Sequence, residues 1–174
     1  MNSAWGIGDA SDLARSYAER NNFSTLTSLA VSPARHLRPE VLHALMENGT
    51  DKLRKCHLAG FDSREQLPSL IASGCLSEVV DLRLSNAELT DSIAESIAKC
   101  CPRLRSFEAS HNPKLTGVGV KALLLKEGEK LVKLDIDRCG GIGIDAVEFA
   151  RSMGAEVKFS LADNLKSGKR VILR

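Results

Sequence analysis

Apolar residues recur along this chain in a six-residue frame, apolar-x-x-apolar-x-apolar, and each frame is followed by a longer stretch with helical spacing. The frame reads LTSLAV from Leu26, LRKCHL from Leu53, VVDLRL from Val79, LRSFEA from Leu104, LVKLDI from Leu131 and, more weakly, EVKFSL from Glu156. Its last apolar position falls at Val31, Leu58, Leu84, Ala109, Ile136 and Leu161, so successive frames lie 27, 26, 25, 27 and 25 residues apart. A period held over five intervals makes internal repetition the primary property of the sequence. Alternating apolar and polar residues inside each frame predict a short strand.

Between the frames, apolar residues at i, i+3 and i+4 predict helices in RPEVLHALMENG, SREQLPSLIASG, TDSIAESIAKCC, GVKALLLKEGEK and GIDAVEFARSMG. Pro39 suits the opening turn of the first and Gly49 its close. Pro68 makes the second short or kinked. Thr90 or Asp91 is placed to cap the third, and Gly128 and Gly154 to end the fourth and fifth. Each unit is then one strand, one turn and one helix. No unit can bury its apolar face alone, so neighbours must stack. The expected architecture is α/β: a curved parallel sheet on the concave side, helices on the convex side, in about six repeats. Residues 1–22 are expected to form one capping helix, 23–165 the repeats, and 166–174 a basic cap or tail. Three residues past each frame stand Ala34, Phe61, Ala87, Asn112, Cys139 and Asn164. An Asn or Cys side chain in that slot can bond loop backbone, as a tight turn out of a short strand requires.

Composition narrows the class. The 174 residues suit one domain, and with 43% hydrophobic but 4% aromatic residues its core must be aliphatic. A net charge of +2 is too balanced for a nucleic-acid surface. The five cysteines are an odd number without zinc-finger spacing, which predicts reduced, mostly buried thiols. Cys56 occupies a leucine slot outright, and of the Cys100-Cys101 pair one is expected packed and the other partly exposed. No secretory signal or membrane-spanning run is legible, so the expectation is a soluble, cytoplasmic protein, not a secreted one.

Leu89-Thr90-Asp91 and Cys101-Pro102-Arg103-Leu104, with the degraded copies Leu115-Thr116-Gly117 and Ile142-Gly143-Ile144, resemble the cysteine-containing leucine-rich repeats of F-box/leucine-rich-repeat proteins. The resemblance covers roughly residues 23–165 and implies a leucine-rich-repeat solenoid. It also implies protein partners in a multi-subunit complex, with neither cofactor nor small-molecule substrate. Members often act as substrate receptors of ubiquitin ligases through a helical F-box ahead of the repeats. About 22 residues precede the first repeat here, too few for that module. The expectation is therefore a non-enzymatic scaffold or adaptor subunit, of the kind found in ciliary and mitochondrial assemblies, with a ligase adaptor as the alternative.

Gly141-x-Gly143-x-x-Ala146 has the spacing of a dinucleotide-binding turn, and VKFSL ends just before Asp163, where a ribose-binding acid would fall. Gly117-x-Gly119-x-x-Ala122 repeats that spacing at a different offset from the turn. Two such matches read better as small residues easing a helix against its neighbour. Asp135 and Asp137, on the strand feeding the loop, would also oppose a pyrophosphate.

The polar frame positions should share one face. The third holds Ser28, Lys55, Asp81, Ser106, Lys133 and Lys158, and the fifth holds Ala30, His57, Arg83, Glu108, Asp135 and Ser160. Pairing of Arg83 with Glu108 and of Lys55 with Asp81 is expected. A partner-binding surface is expected at Lys55, His57, Asp81, Arg83, Glu108, Lys133 and Asp135, with His111, Asp137 and Arg138 on the rim. Lys166, Lys169, Arg170 and Arg174 offer a second contact in the tail. Glu108 beside Asp135 lacks a third metal ligand, and His57 lacks a nucleophile beside it.

Overall fold

The computed structural model describes residues 26–32, 51–60 and 66–160. The capping helix expected in 1–22, the first repeat helix and the basic tail with Lys166, Lys169, Arg170 and Arg174 lie outside the described residues. Six strands, β1 (Ser28–Val31), β2 (Lys55–Leu58), β3 (Asp81–Arg83), β4 (Ser106–Glu108), β5 (Lys133–Asp135) and β6 (Glu156–Lys158), form one sheet. The strands pair in chain order and every pairing is parallel. Four described helices alternate with them: α1 (Gln66–Ala72), α2 (Asp91–Cys100), α3 (Gly117–Leu124) and α4 (Ile144–Ser152).

The frame residues behave as their alternation demands. Cys56, Leu58, Leu82, Leu84, Phe107, Ala109, Leu134 and Ile136 are buried, while the residues between them stand on the opposite, polar face. In α2 to α4 the third, fourth and seventh residues form the buried stripe: Ile93, Ala94 and Ile97 in α2, Gly119, Val120 and Leu123 in α3, and Ala146, Val147 and Ala150 in α4. Short α1 departs from this, burying Leu67, Leu70 and Ile71, its second, fifth and sixth residues. Pro68 falls in the first turn of α1, which ends after seven residues.

Strand entry is locked in the same way each time. The carbonyl of Arg54 accepts from Val80 and Asp81 N–H at 2.8 and 3.0 Å. Val80 likewise accepts from Arg105 and Ser106, and Arg105 from Val132 and Lys133. The sixth strand departs from the sequence expectation. Glu156, not Lys158, pairs with Lys133, and Lys158, not Ser160, pairs with Asp135. The connection from α4 is short: Gly154 turns the chain at φ 89°, and Glu156 N–H already reaches the Val132 carbonyl at 2.7 Å. Phe159 therefore takes the slot assigned to Leu161 and packs against the core.

The turn slot is occupied as a bonded position. Asn112 is fully buried; its Oδ1 accepts from Ala87 N–H (2.9 Å) and Leu89 N–H (3.1 Å). Its Nδ2 donates to the carbonyls of Leu84 (2.8 Å), Ala109 (2.8 Å) and Ser110 (3.2 Å). Cys139 fills the slot one unit later, its thiol donating to Ala109 O at 3.0 Å. Just before the slot, Gly60, Asn86, His111 and Arg138 all adopt left-handed backbone, with φ between 52° and 68°.

In the first glycine motif the Gly119 amide, and the Thr116 amide just before the motif, are taken by a carboxylate of the preceding unit. Asp91 Oδ1 accepts from Thr116 N–H (2.8 Å) and Gly119 N–H (3.1 Å), and its Oδ2 accepts the Thr116 hydroxyl (2.6 Å), so the first residue of α2 caps α3. A Cβ on Gly119 would sit 2.6 Å from that carboxylate, and one on Gly141 would sit 2.6 Å from Leu115 O. These glycines let adjacent units approach.

Candidate functional site

The polar face of the sheet gathers the predicted residues into two columns across the strands. Register places Lys55, Asp81, Ser106, Lys133 and Glu156 side by side in one, and His57, Arg83, Glu108, Asp135 and Lys158 in the other. Neighbouring strands are about 4.8 Å apart, so each side chain is within reach of its counterpart. All seven predicted face residues are brought together. Lys158 and Glu156 join them through the shifted register of β6.

Charges on this face are matched internally. The Arg83 guanidinium donates to both oxygens of Asp81, at 3.3 and 3.2 Å, and lies 3.6 Å from Glu108. The expected Arg83–Glu108 contact is present but is the looser of the two. The expected Lys55–Asp81 pair is absent among the described residues, because Asp81 faces Arg83 and His57 instead. Lys158 approaches Asp135 to 2.8 Å, and Lys133 approaches Glu156 to 4.0 Å.

Two hydroxyls outside the six-residue frame hold the acids. Ser85 Oγ donates to Glu108 Oε1 at 2.8 Å and Ser110 Oγ to Asp135 Oδ1 at 2.9 Å. Their shared spacing was the available signal, since Ser85 and Ser110 each follow the last frame position, at Leu84 and Ala109. Burial alone would push both Asp81 and Asp135 up. The hydrogen bond and charge of Arg83, with His57, outweigh it at Asp81 and hold that carboxyl below the ordinary aspartate value. Lys158, the Asp137 N–H and the Ser110 hydroxyl do the same for Asp135. Arg83 and Lys158 are correspondingly raised, chiefly by their hydrogen bonds to Asp81 and Asp135.

The rim residues form a separate row. His111 and Arg138 are exposed on successive turns, and His111 N–H donates to the Asp137 carbonyl at 3.0 Å. Asp137 lies 3.8 Å from Arg138. Among the described residues no three His, Cys, Asp or Glu side chains converge to hold a metal ion, and no helix is long and apolar enough to cross a membrane. Cys56, Cys75, Cys101 and Cys139 are buried, none of them in a disulfide among the described residues, and Cys100 is half-buried.

No protein-family model matches the chain. A 74-residue segment, 41% of the chain, is 38% identical to part of an F-box/TPR repeat protein of Schizosaccharomyces pombe, and the matched part is 12% of that protein. The chain thus matches about an eighth of this relative's length. The likeness is to a repeat protein, and it supports a protein-interaction character.

Proposed function

We propose that the chain is a leucine-rich-repeat solenoid that works by binding protein partners on the polar face of its sheet, as a non-enzymatic scaffold or adaptor. The observation that carries this reading is the register alignment of charged residues across β2 to β6. Strands joined by hydrogen bonds hold these side chains at fixed spacing, and a broad rigid surface of this kind gives orientation and specificity to an encounter. The proposed contact residues are Lys55, His57, Asp81, Arg83, Glu108, Lys133 and Asp135, with His111, Asp137 and Arg138 at the rim.

The test is comparative cross-linking in cells, followed by identification of the linked proteins. Charge reversal at Arg83 and Glu108 should remove a defined partner, whereas Glu148→Lys on exposed α4 should leave it in place. An unchanged partner set with the reversed face would sink the proposal. A second reading, substrate receptor of a ubiquitin ligase, is favoured by the F-box in the name of the partial relative. Recovery of a cullin scaffold among the linked proteins separates it from the first.

A further inference from the structure

His57 has a property that no other described side chain shares. Its Nε2 is shut off from solvent and makes no hydrogen bond, although the ring as a whole is half-buried on the polar face. The atom stops 3.6 Å from Asp81 Oδ2, just beyond hydrogen-bonding distance. That same oxygen accepts from Arg83 Nη2 at 3.2 Å. Arg83 has a second acid within reach, Glu108 Oε2 at 3.6 Å from its Nε, and Glu108 is held by Ser85 Oγ at 2.8 Å. Four residues on three adjacent strands therefore form a chain with one undecided member, the guanidinium between two carboxylates.

We infer that His57 is a proton-driven switch on this face: taking up a proton, it captures Asp81 and shifts Arg83 from Asp81 toward Glu108. Either neutral tautomer of His57 leads to the same outcome. If the neutral ring carries hydrogen on Nδ1, the Nε2 lone pair faces a carboxylate, and protonation turns repulsion into a charge-assisted hydrogen bond. If it carries hydrogen on Nε2, protonation at the other nitrogen strengthens the same donor. In both cases a cation arrives at the oxygen that Arg83 uses. Imidazole is the side chain whose charge ordinarily changes between about pH 5 and 8.

The groups facing His57 set the balance. β1 offers uncharged Ala30 opposite it, β2 carries Lys55 two residues earlier, and β3 brings Arg83 opposite and Asp81 diagonally. Lys55 and Arg83 oppose a charge on the ring, and Asp81 favours it. Movement of Arg83 toward Glu108 relieves one of the two opposing charges, which couples proton uptake to the swing. The fixed position of Glu108 gives the guanidinium a defined destination, as a two-state element requires. Use of the switch in partner binding rests on the proposed function; the switch itself does not.

The experiment is a proton and nitrogen NMR titration of the full chain from pH 8 down to pH 3, following the His57 ring and the Arg83 Nε–H. The two signals should move in one step with a common midpoint. Arg83 should stop moving in His57→Gln, and its shift should shrink in Glu108→Gln. An Arg83 signal that stays flat, moves only below pH 5 with the carboxylates, or titrates unchanged in His57→Gln overturns the inference. These readouts use the isolated chain, so a failed switch is distinguishable from a face that binds nothing.

Discussion

Asn112 donates from Nδ2 to the backbone carbonyl of Leu84, 28 residues earlier in the chain, at 2.8 Å. One buried amide thereby joins two adjacent units, and its remaining bonds close the turn on both sides. Loss of the side chain would leave several backbone groups buried without partners, each costing about 1–3 kcal/mol. Asn112→Ala should therefore lose upwards of about 3 kcal/mol in urea unfolding, after allowance for non-additivity. Asn112→Cys should lose less, because Cys139 already shows a thiol working in this slot. Equal losses for the two variants would contradict this account.

That slot also marks how far the sequence could be read. The period and the alternation inside each frame located β1 to β5, because burial of one face forces them. The Asn/Cys slot was legible in the later repeats, because a side chain that bonds the backbone of a tight turn must be short and polar. The sixth strand was misplaced because Phe159 and Leu161 both satisfy an apolar slot, and the length of the turn at Gly154 decides between them. Pairings on the polar face were less legible still. Solvated charges choose partners by rotamer, so Asp81 met Arg83 on its own strand in place of Lys55 on the next. Ser85 and Ser110 carry no hydrophobic signal at all.

Asp91 offers a prediction about stacking. Its carboxylate takes three donors from the start of α3, a capping role across units. Loss of an N-cap costs about 0.5–2 kcal/mol. Asp91→Ala should fall in that range by chemical denaturation, with hydrogen exchange rising at Thr116 and Gly119 ahead of the rest of α3. Protection unchanged at those two amides would remove the cap from the explanation.

The left-handed column can be tested by glycine. Side chains in this region cost about 1–2 kcal/mol, partly offset by the added freedom glycine brings to the unfolded chain. Arg138→Gly should stabilise by about 1 kcal/mol, and Asn86→Gly by less, since asparagine tolerates this conformation. A higher melting temperature for Arg138→Gly with weaker partner binding would identify the arginine as kept for contact.

Asp135 makes the acid side of the stability curve predictable. Its folded carboxyl sits below the ordinary value, because Lys158, Asp137 N–H and Ser110 outweigh burial. A depressed carboxyl contributes stability above its unfolded value near 3.8, and the contribution is lost as pH falls toward the folded one. Removing Lys158, which is exposed, should lower stability by no more than a surface pair does, and only above the unfolded carboxyl value. Lys158→Ala and wild type should converge in melting temperature near pH 2. A constant gap between the curves would mean that packing, not charge, made the difference.

The buried thiols govern the alkaline side, with the opposite sign. Burial pushes the Cys101 thiol up to about 12 and the Cys139 thiol up to about 11, from an ordinary value of 9.0. Above pH 9 the unfolded chain releases these protons while the folded chain keeps them. The folded state then binds more protons, and stability falls as pH rises, by about 1.4 kcal/mol per pH unit for each such thiol. Cys101→Ala carries a packing loss that does not vary with pH, so its curve should start lower yet fall less steeply between pH 9 and 11. Alkylation gives an independent reading: at pH 8 half-buried Cys100 should react first, and Cys56, Cys101 and Cys139 only at the rate of opening. If Cys101→Ala parallels wild type throughout, or if Cys101 labels as fast as Cys100, that thiol is not shielded in the folded chain.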